Sequence, residues 1–284
     1  MKKSKLNRNY LALVPFLIAV VAYELIPLIQ LVINSFQSKT TGGFSLENFQ
    51  KIFTTPLYTS SIINSVRISF VSAVIGIVVA FIVGKAYHEV SKKWQKGLTM
   101  VLNMTSNFSG VPLAFAFMIL MGNTGVLTLI GKHMNIGWLA DFNLYSGNGL
   151  VIIYIYFQVP LATLLLLPTF LGLRKEWEEA AAILQANSFQ YWLKVGIPNL
   201  LPGILGTLTV LFSNALAAYA TAYALILNNY ALLALQISSK FKGDVRIDKQ
   251  MGGALAVVLI ILMLICTLLN NYITKRNSKG RNLV

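Results

Sequence analysis

Side chains able to do chemistry are few in this chain, and they are scattered. His88 and His133 fall in different loops and Cys266 sits alone in an apolar run, so no metal-ligand cluster and no intrachain disulfide is available. The nine acidic residues offer no paired carboxylates at a common site for acid–base work. No G-x-x-x-x-G-K-[ST] segment occurs, so the chain carries no ATPase phosphate loop. What remains is chemistry of contact rather than of bond making. Ser213, Asn214, Tyr219, Thr221 and Tyr223 interrupt an otherwise apolar, uncharged stretch. Glu24 is a lone carboxylate inside the first apolar run. The segment 174–198 joins three closely spaced acids to an alanine run and, beyond it, to Phe189 and Trp192. Such features suit passing and docking molecules, not converting them.

The elements that must hold these residues are membrane helices. Of 284 residues 56% are hydrophobic and only 11% charged, where a soluble domain has roughly a quarter charged. One span takes about 20 apolar residues. The expected fold class is therefore all-α, a polytopic membrane protein of about six spans, read as one transmembrane domain over 1–284 with a membrane core at 10–274. Little chain is left for a soluble module, so any nucleotide-binding or extracytoplasmic domain belongs to another polypeptide. The spans are expected at 10–36, 68–84, 98–121, 150–173, 200–227 and 252–274. The uncharged stretch 195–239 reads as one helix with polar flanks, because Pro198 and Pro202 mark its start and Asn228-Asn229 its end.

The net charge of +14 does not point to nucleic acid, because the basic residues cluster between apolar runs and at both ends. Their distribution is topological instead. With the N-terminus inside, 15 of the 23 Lys and Arg fall in inside segments and 8 outside. Both termini are expected in the cytoplasm of a prokaryotic cell membrane. The first run, with its basic lead, is too long for a cleaved signal and is expected to stay in the membrane.

The inside segment 174–198 begins with Glu176, Glu178 and Glu179 ahead of Ala180, Ala181 and Ala182, a favourable helix start. Asn187-Ser188 offers a break and a new N-cap, and a second short helix ends at Pro198. Ala180, Ala181 and Ala186 would let another surface approach closely, and Phe189 and Trp192 share a face able to fill a partner's pocket. The bland alternative, an amphipathic helix lying on lipid, fits poorly with the acidic start.

This segment resembles the EAA loop of type I ABC-importer permeases, in which Glu-Ala-Ala is followed by Gly at the sixth position after Glu and Pro at the nineteenth. Glu179, Ala180, Ala181, Ala186, Val195, Ile197 and Pro198 fall in register, while Gln185 stands where the family has glycine. That departure questions a tight glycine turn, with Asn187 able to bend the chain slightly later. Gly110 to Phe117 and Asn214 to Leu225 resemble segments of the spermidine/putrescine-like permease group, and the resemblance covers nearly the whole chain. It implies a permease subunit that works with two ATPase subunits, a second homologous or identical permease and an extracytoplasmic solute-binding protein. ATP and Mg would sit on the ATPases, with no cofactor in this chain and no activity as an enzyme. Glu179, Ala180, Ala181, Gln185, Ala186, Phe189, Trp192 and Pro198 would couple to the ATPase. A polyamine is the first substrate expectation, with ferric ion, phosphonate, opine or thiamine as alternatives within the group.

Asn214, Ala218 and Thr221 step by four and three, so one helical face would present them together. With Tyr219 and Tyr223 they line either a translocation path or a seam packed through small residues. Glu24 would attract a cationic solute, pair with a partner subunit or sit in a wet crevice beside Pro27. The outer segments 44–59 and 238–250 are docking candidates for the binding protein or plain solvated loops. Two rivals are weaker. An ion-coupled secondary transporter should show duplicated halves, and none is evident; a membrane enzyme lacks a reactive cluster.

Overall fold

The computed structural model describes residues 13–39, 41–227, 229–242 and 247–281, with backbone alone at 88–89 and 277–281. The basic cluster Lys2, Lys3, Lys5 and Arg8, the start of the first span, Asn228, and Asp244 and Arg246 lie outside the described residues. Among those described, the only β feature is an isolated antiparallel bridge from Gln37 to Phe44. Everything else regular is helical, as the composition requires.

In chain order the elements are α1 (Val14–Ser35), α2 (Glu47–Thr54), α3 (Pro56–Glu89), α4 (Lys92–Ser106), α5 (Val111–Met121), α6 (Val126–His133) and the short α7 (Gly137–Ala140). They continue with α8 (Gly147–Leu171), α9 (Lys175–Ile183), α10 (Ser188–Leu216), α11 (Tyr219–Ile226), α12 (Leu233–Lys242) and α13 (Lys249–Arg281). Among the described residues, six stretches are long and apolar enough to cross a bilayer. Two expected spans are corrected. The third is not one helix over 98–121: α4 stops at Ser106, α5 starts anew at Val111, and the membrane-length stretch is Val111–His133. Gly110 takes φ +75°, and Pro112 has no N–H to continue a ladder, so a helix begins there rather than passing through. The fifth is not one helix over 200–227 either, because α10 ends at Leu216 and α11 begins at Tyr219. The second span is longer than expected, running unbroken for 34 residues.

Two π-helical turns, Val21–Leu25 in α1 and Trp192–Gly196 in α10, each end just ahead of a proline, Pro27 and Pro198. A proline ring collides with the carbonyl four residues back, and a wider turn relieves that collision without ending the helix. In α10 the Asn199 amide Nδ2 donates to the Val195 carbonyl at 2.8 Å, giving a carbonyl of the widened turn a partner.

The chain divides into two compact units, 1–59 with 236–260 and 60–235 with 261–284. In the first, buried Asn48 donates from Nδ2 to the carbonyls of Ser35 (3.2 Å) and Gln37 (2.9 Å), tying α2 to the end of α1. The second holds two apolar clusters. One joins Ile68, Leu113, Leu150, Ile153, Phe157, Ala222 and Leu225, so α5, α8 and α11 share it. The other joins Ala73, Ile77 and Ala80 of α3 with Ala162, Leu166 and Phe170 of α8 and Leu200 and Leu211 of α10. Between α3 and α8, fully buried Gln158 donates from Nε2 to Ser72 Oγ at 2.8 Å, and Ser72 donates in turn to the Ile68 carbonyl.

The α3–α8 contact depends on glycine at position 84, where a Cβ would collide with the ring of Phe170, itself 0% exposed. Overpacking of this kind costs about 1–3 kcal/mol. Gly84→Ala should therefore lower the thermal unfolding midpoint of the purified protein, and Gly97→Ala, whose Cβ would meet open space, should not.

Candidate functional site

Two places gather the residues singled out in the sequence. The first is a cavity of about 460 Å³ in the second unit, lined by Ser106, Ser109 and Gly110 on one side and Asn214, Ala217 to Thr221 on the other, with Phe157 and Leu161 of α8 behind. It lies where the two helix interruptions meet. Buried backbone outside a helix must find hydrogen-bond partners in the protein or in water. Both breaks are satisfied from across the site. The Gly110 N–H donates to Thr221 Oγ1 at 3.0 Å. Buried Tyr154 of α8 donates its hydroxyl to the Ala218 carbonyl at 2.9 Å. At the break the chain turns within two residues, with Tyr219 N–H on the Ala217 carbonyl at 2.7 Å.

The consequence for the expected face is specific. Asn214, Ala218 and Thr221 do not share one continuous helix, yet the break returns all three, with Tyr219, to a single cavity. Thr221 is buried and committed to Gly110, so it shapes the site; Asn214 is exposed along the wall. Tyr223 is not among the lining residues; it stacks on Tyr219 with ring centroids 5.3 Å apart. Ser106, Ser109 and Gly110 were missed by sequence reading, although the run Thr105-Ser106-Asn107 ahead of Ser109-Gly110 was a visible polar, helix-breaking signal. Glu24 belongs to the first unit, within the run 21–30 whose residues are all exposed, and does not line this cavity.

The second place is the segment from α9 into α10. α9 ends in a Schellman motif: Ala186 N–H bonds the Ala181 carbonyl at 3.0 Å and Gln185 N–H the Ala182 carbonyl at 3.0 Å. Gln185 itself takes the left-handed conformation, φ +56°, that glycine adopts most easily. The tight turn is thus kept without glycine. Asn187 then caps α10 in a reciprocal box with Gln190, Gln190 N–H to Asn187 Oδ1 at 2.8 Å and Asn187 N–H to Gln190 Oε1 at 3.0 Å.

A family model described as binding-protein-dependent transport system inner membrane component matches residues 73–279, which takes in both places. The chain belongs to this family. It is similar to the spermidine/putrescine transport system permease protein PotC of Haemophilus influenzae, 25% identical over 93% of this chain and 96% of the relative. It is also similar to a probable sulfate transport system permease protein cysT of Prototheca wickerhamii, 33% identical over 51% of this chain and 60% of the relative. Among solved structures, a permease chain from a bacterial ABC transporter importing the acidic polysaccharide alginate superposes with TM-score 0.73 at 18% identity, covering 94% of each chain. A chain of the MetNI methionine ABC transporter gives 0.59 at 16% identity, covering 78% of this chain and 96% of that one. The permease subunit of an ABC importer is accordingly the function of this chain.

Within the permease, the 174–198 segment divides its residues differently from expectation. Ala181 is buried against the chain's own fold, and Trp192 packs on Phe81 and Phe170 with centroids 5.5 and 6.3 Å away, so neither is presented outward as expected. Glu179, Ala180 and Pro198 are exposed and Ala186 half-buried. The most exposed large apolar side chains of the segment are Ile183 (83% exposed), Leu184 (81%) and Phe189 (74%). The first two were not singled out, though two branched residues just ahead of a helix stop were the available signal.

On the segment expected outside, Asp248 caps α13 through Oδ1 to the Met251 N–H (3.1 Å) and accepts from Lys39 Nζ through Oδ2 at 2.8 Å. Burial pushes its carboxyl up, but the hydrogen bonds from Lys39 and Met251 and the charges of Lys39 and Lys240 outweigh it and hold the pKa below the ordinary value. A lowered folded pKa means the stabilisation is whole above the usual carboxylate value of about 3.9 and fades as pH falls through the folded one. Asp248→Asn should therefore lower the unfolding midpoint at pH 7, with the gap from wild type narrowing only below about pH 4.

A second expectation concerns the left-handed residue. Gln185→Gly removes a strain of about 1–2 kcal/mol in part offset by glycine's backbone entropy, so uptake should be at least that of wild type, whereas β-branched Gln185→Val should reduce it. Equal uptake by both variants would show that the turn geometry does not matter.

Proposed function

We propose that this permease forms half of a solute path, pairing with a second permease, homologous or identical, and docking two ATPase subunits that bind ATP and Mg. An extracytoplasmic binding protein delivers the solute. Segment 174–198 rides in an ATPase groove through Glu179, Ala180, Ile183, Leu184 and Phe189, and closure of the ATPases shifts the permeases toward an outward-facing state. Such a shift requires ATPase contacts that differ between the two states. Both termini lie in the cytoplasm, in line with the 15-to-8 distribution of basic residues.

The solute proposed is a polyamine such as spermidine or putrescine. The observation that carries this reading is the lining of the cavity. It holds hydroxyls, one amide and the Tyr219 ring, and no Lys or Arg. A cation can shed water there onto neutral acceptors and an aromatic face, whereas an oxyanion such as sulfate would find no positive partner. The sequence relationship over nearly the full length of a spermidine/putrescine permease supports the same choice.

The test uses the complex reconstituted in proteoliposomes with its binding protein. Spermidine or putrescine should bind the binding protein and be taken up on ATP addition, with sulfate inert; uptake of sulfate alone would overturn the polyamine reading. Asn214→Leu should lower uptake while complex yield and ATP hydrolysis persist. Loss of the assembled complex instead would assign Asn214 to packing. For topology, Ser188→Cys and Gly43→Cys in a Cys266→Ser background should label from opposite sides of the membrane, and labelling of both from one side would overturn it.

A further inference from the structure

Behind the exposed face of segment 174–198 lies a second cavity, of about 380 Å³, that neither solute passage nor ATPase docking uses. Lys85 from the end of α3 and Arg174 and Lys175 at the start of α9 converge on it, opposed by one carboxylate, Glu178. Its floor is aromatic: Tyr191 and Trp192, with Phe170 beneath. Lys85 Nζ stands over the Trp192 ring at 5.4 Å, and the Arg174 guanidinium over Trp177 at 6.0 Å. Ser188 adds a hydroxyl at the rim. These residues sit within the terminal turns of, or just beyond, the membrane-length stretches Pro56–Tyr87, Gly147–Leu171 and Ser188–Leu216, which sets the cavity at headgroup level. Aromatic and basic side chains at that depth are what an anionic headgroup meets.

We propose that this cavity binds a net-anionic phosphate group, that of an acidic phospholipid or free phosphate. Three cations around one carboxylate leave excess positive charge held in a cleft, and the flat guanidinium of Arg174 can take two phosphate oxygens at once. Lys85, already resting on Trp192, needs little ordering to supply a third contact. The phosphate would join α3 to the first turn of α9, tethering the segment that contacts the ATPase. That consequence rests on the coupling role proposed above; the binding does not.

The experiment is native mass spectrometry of the full-length permease in mixed micelles holding equal amounts of phosphatidylglycerol and phosphatidylcholine, with and without excess inorganic phosphate. Wild type should retain phosphatidylglycerol selectively. The Lys85→Gln/Arg174→Gln double variant should lose that preference roughly thirtyfold, at the usual contribution of a basic residue near an anionic surface. Arg174→Lys should keep most of it, and Lys92→Gln, outside the cavity, all of it. Displacement of the lipid by inorganic phosphate, or direct retention of phosphate by wild type but not the double variant, would support the site and identify a soluble occupant. Equal retention by wild type and the double variant, or no preference for phosphatidylglycerol together with no phosphate binding, would overturn the proposal. Circular dichroism on the same samples separates loss of the site from loss of fold.

Discussion

Every buried backbone N–H and C=O must find a partner, and this structure turns on two places where a helix fails to provide one. Between α4 and α5, and again between α10 and α11, the ladder stops in mid-protein. Each interruption would cost several kcal/mol if its freed groups were left bare. The fold answers with one side chain apiece, Thr221 for the Gly110 N–H and Tyr154 for the Ala218 carbonyl. Because each satisfier comes from another element, the two breaks cannot drift apart without exposing polar backbone. A cavity with neutral polar walls is the product of that mutual repair.

The same repair explains why the surrounding helices must be fixed. Tyr154 and Phe157 leave one face of α8 together, rings 5.3 Å apart, and the first reaches the break while the second backs the cavity. Farther along α8, Phe170 enters the space that Gly84 leaves open on α3 and stacks toward Trp192. One helix therefore touches both the cavity at Asn214 and the base of the 174–198 segment. Two prolines inside it, Pro160 and Pro168, remove backbone donors along this line. Thr163 Oγ1 donates to the Val159 carbonyl at 2.8 Å.

Much of this was legible from the residues. Six apolar helical stretches follow from apolar run length, though not the bounds of the third and fifth. The two short helical pieces of 174–198 follow from its acidic start and its Asn187-Ser188 break. The N-cap at Asn187 was readable because a short polar side chain ahead of an aromatic turn has few other uses. What could not be read was where a helix stops without a breaker. Ala217-Ala218 is among the strongest local votes for helix, yet the chain turns there because Tyr154 and the neighbouring α5 reward the turned form. The prolines that suggested a single helix start at 198 and 202 instead sit within α10, carried by a π turn. Gln185 is the converse case. The missing glycine suggested a lost turn, but the six-to-one bond from Ala186 to Ala181 holds the left-handed conformation against its local cost.

The division of labour within 174–198 follows from the same economy of partners. A helix of nine residues has too few internal bonds to be stable alone. It must bury one face against its own protein, and Ala181 shows which face that is. The small side chain of Ala181 lets α9 lie close to the rest of its own unit; on the coupling role proposed above, a push on the outer face would move that unit too. The outer face is left with Ile183, Leu184 and Phe189, apolar groups whose exposure in this subunit makes sense when another surface covers them. Trp192, held in the aromatic group with Phe81 and Phe170, lies between that face and the start of α10. On the coupling role proposed above, a push at Phe189 would travel along α10, which runs from this segment to the break at Ala217 and so to the cavity lined by Asn214 and Tyr219.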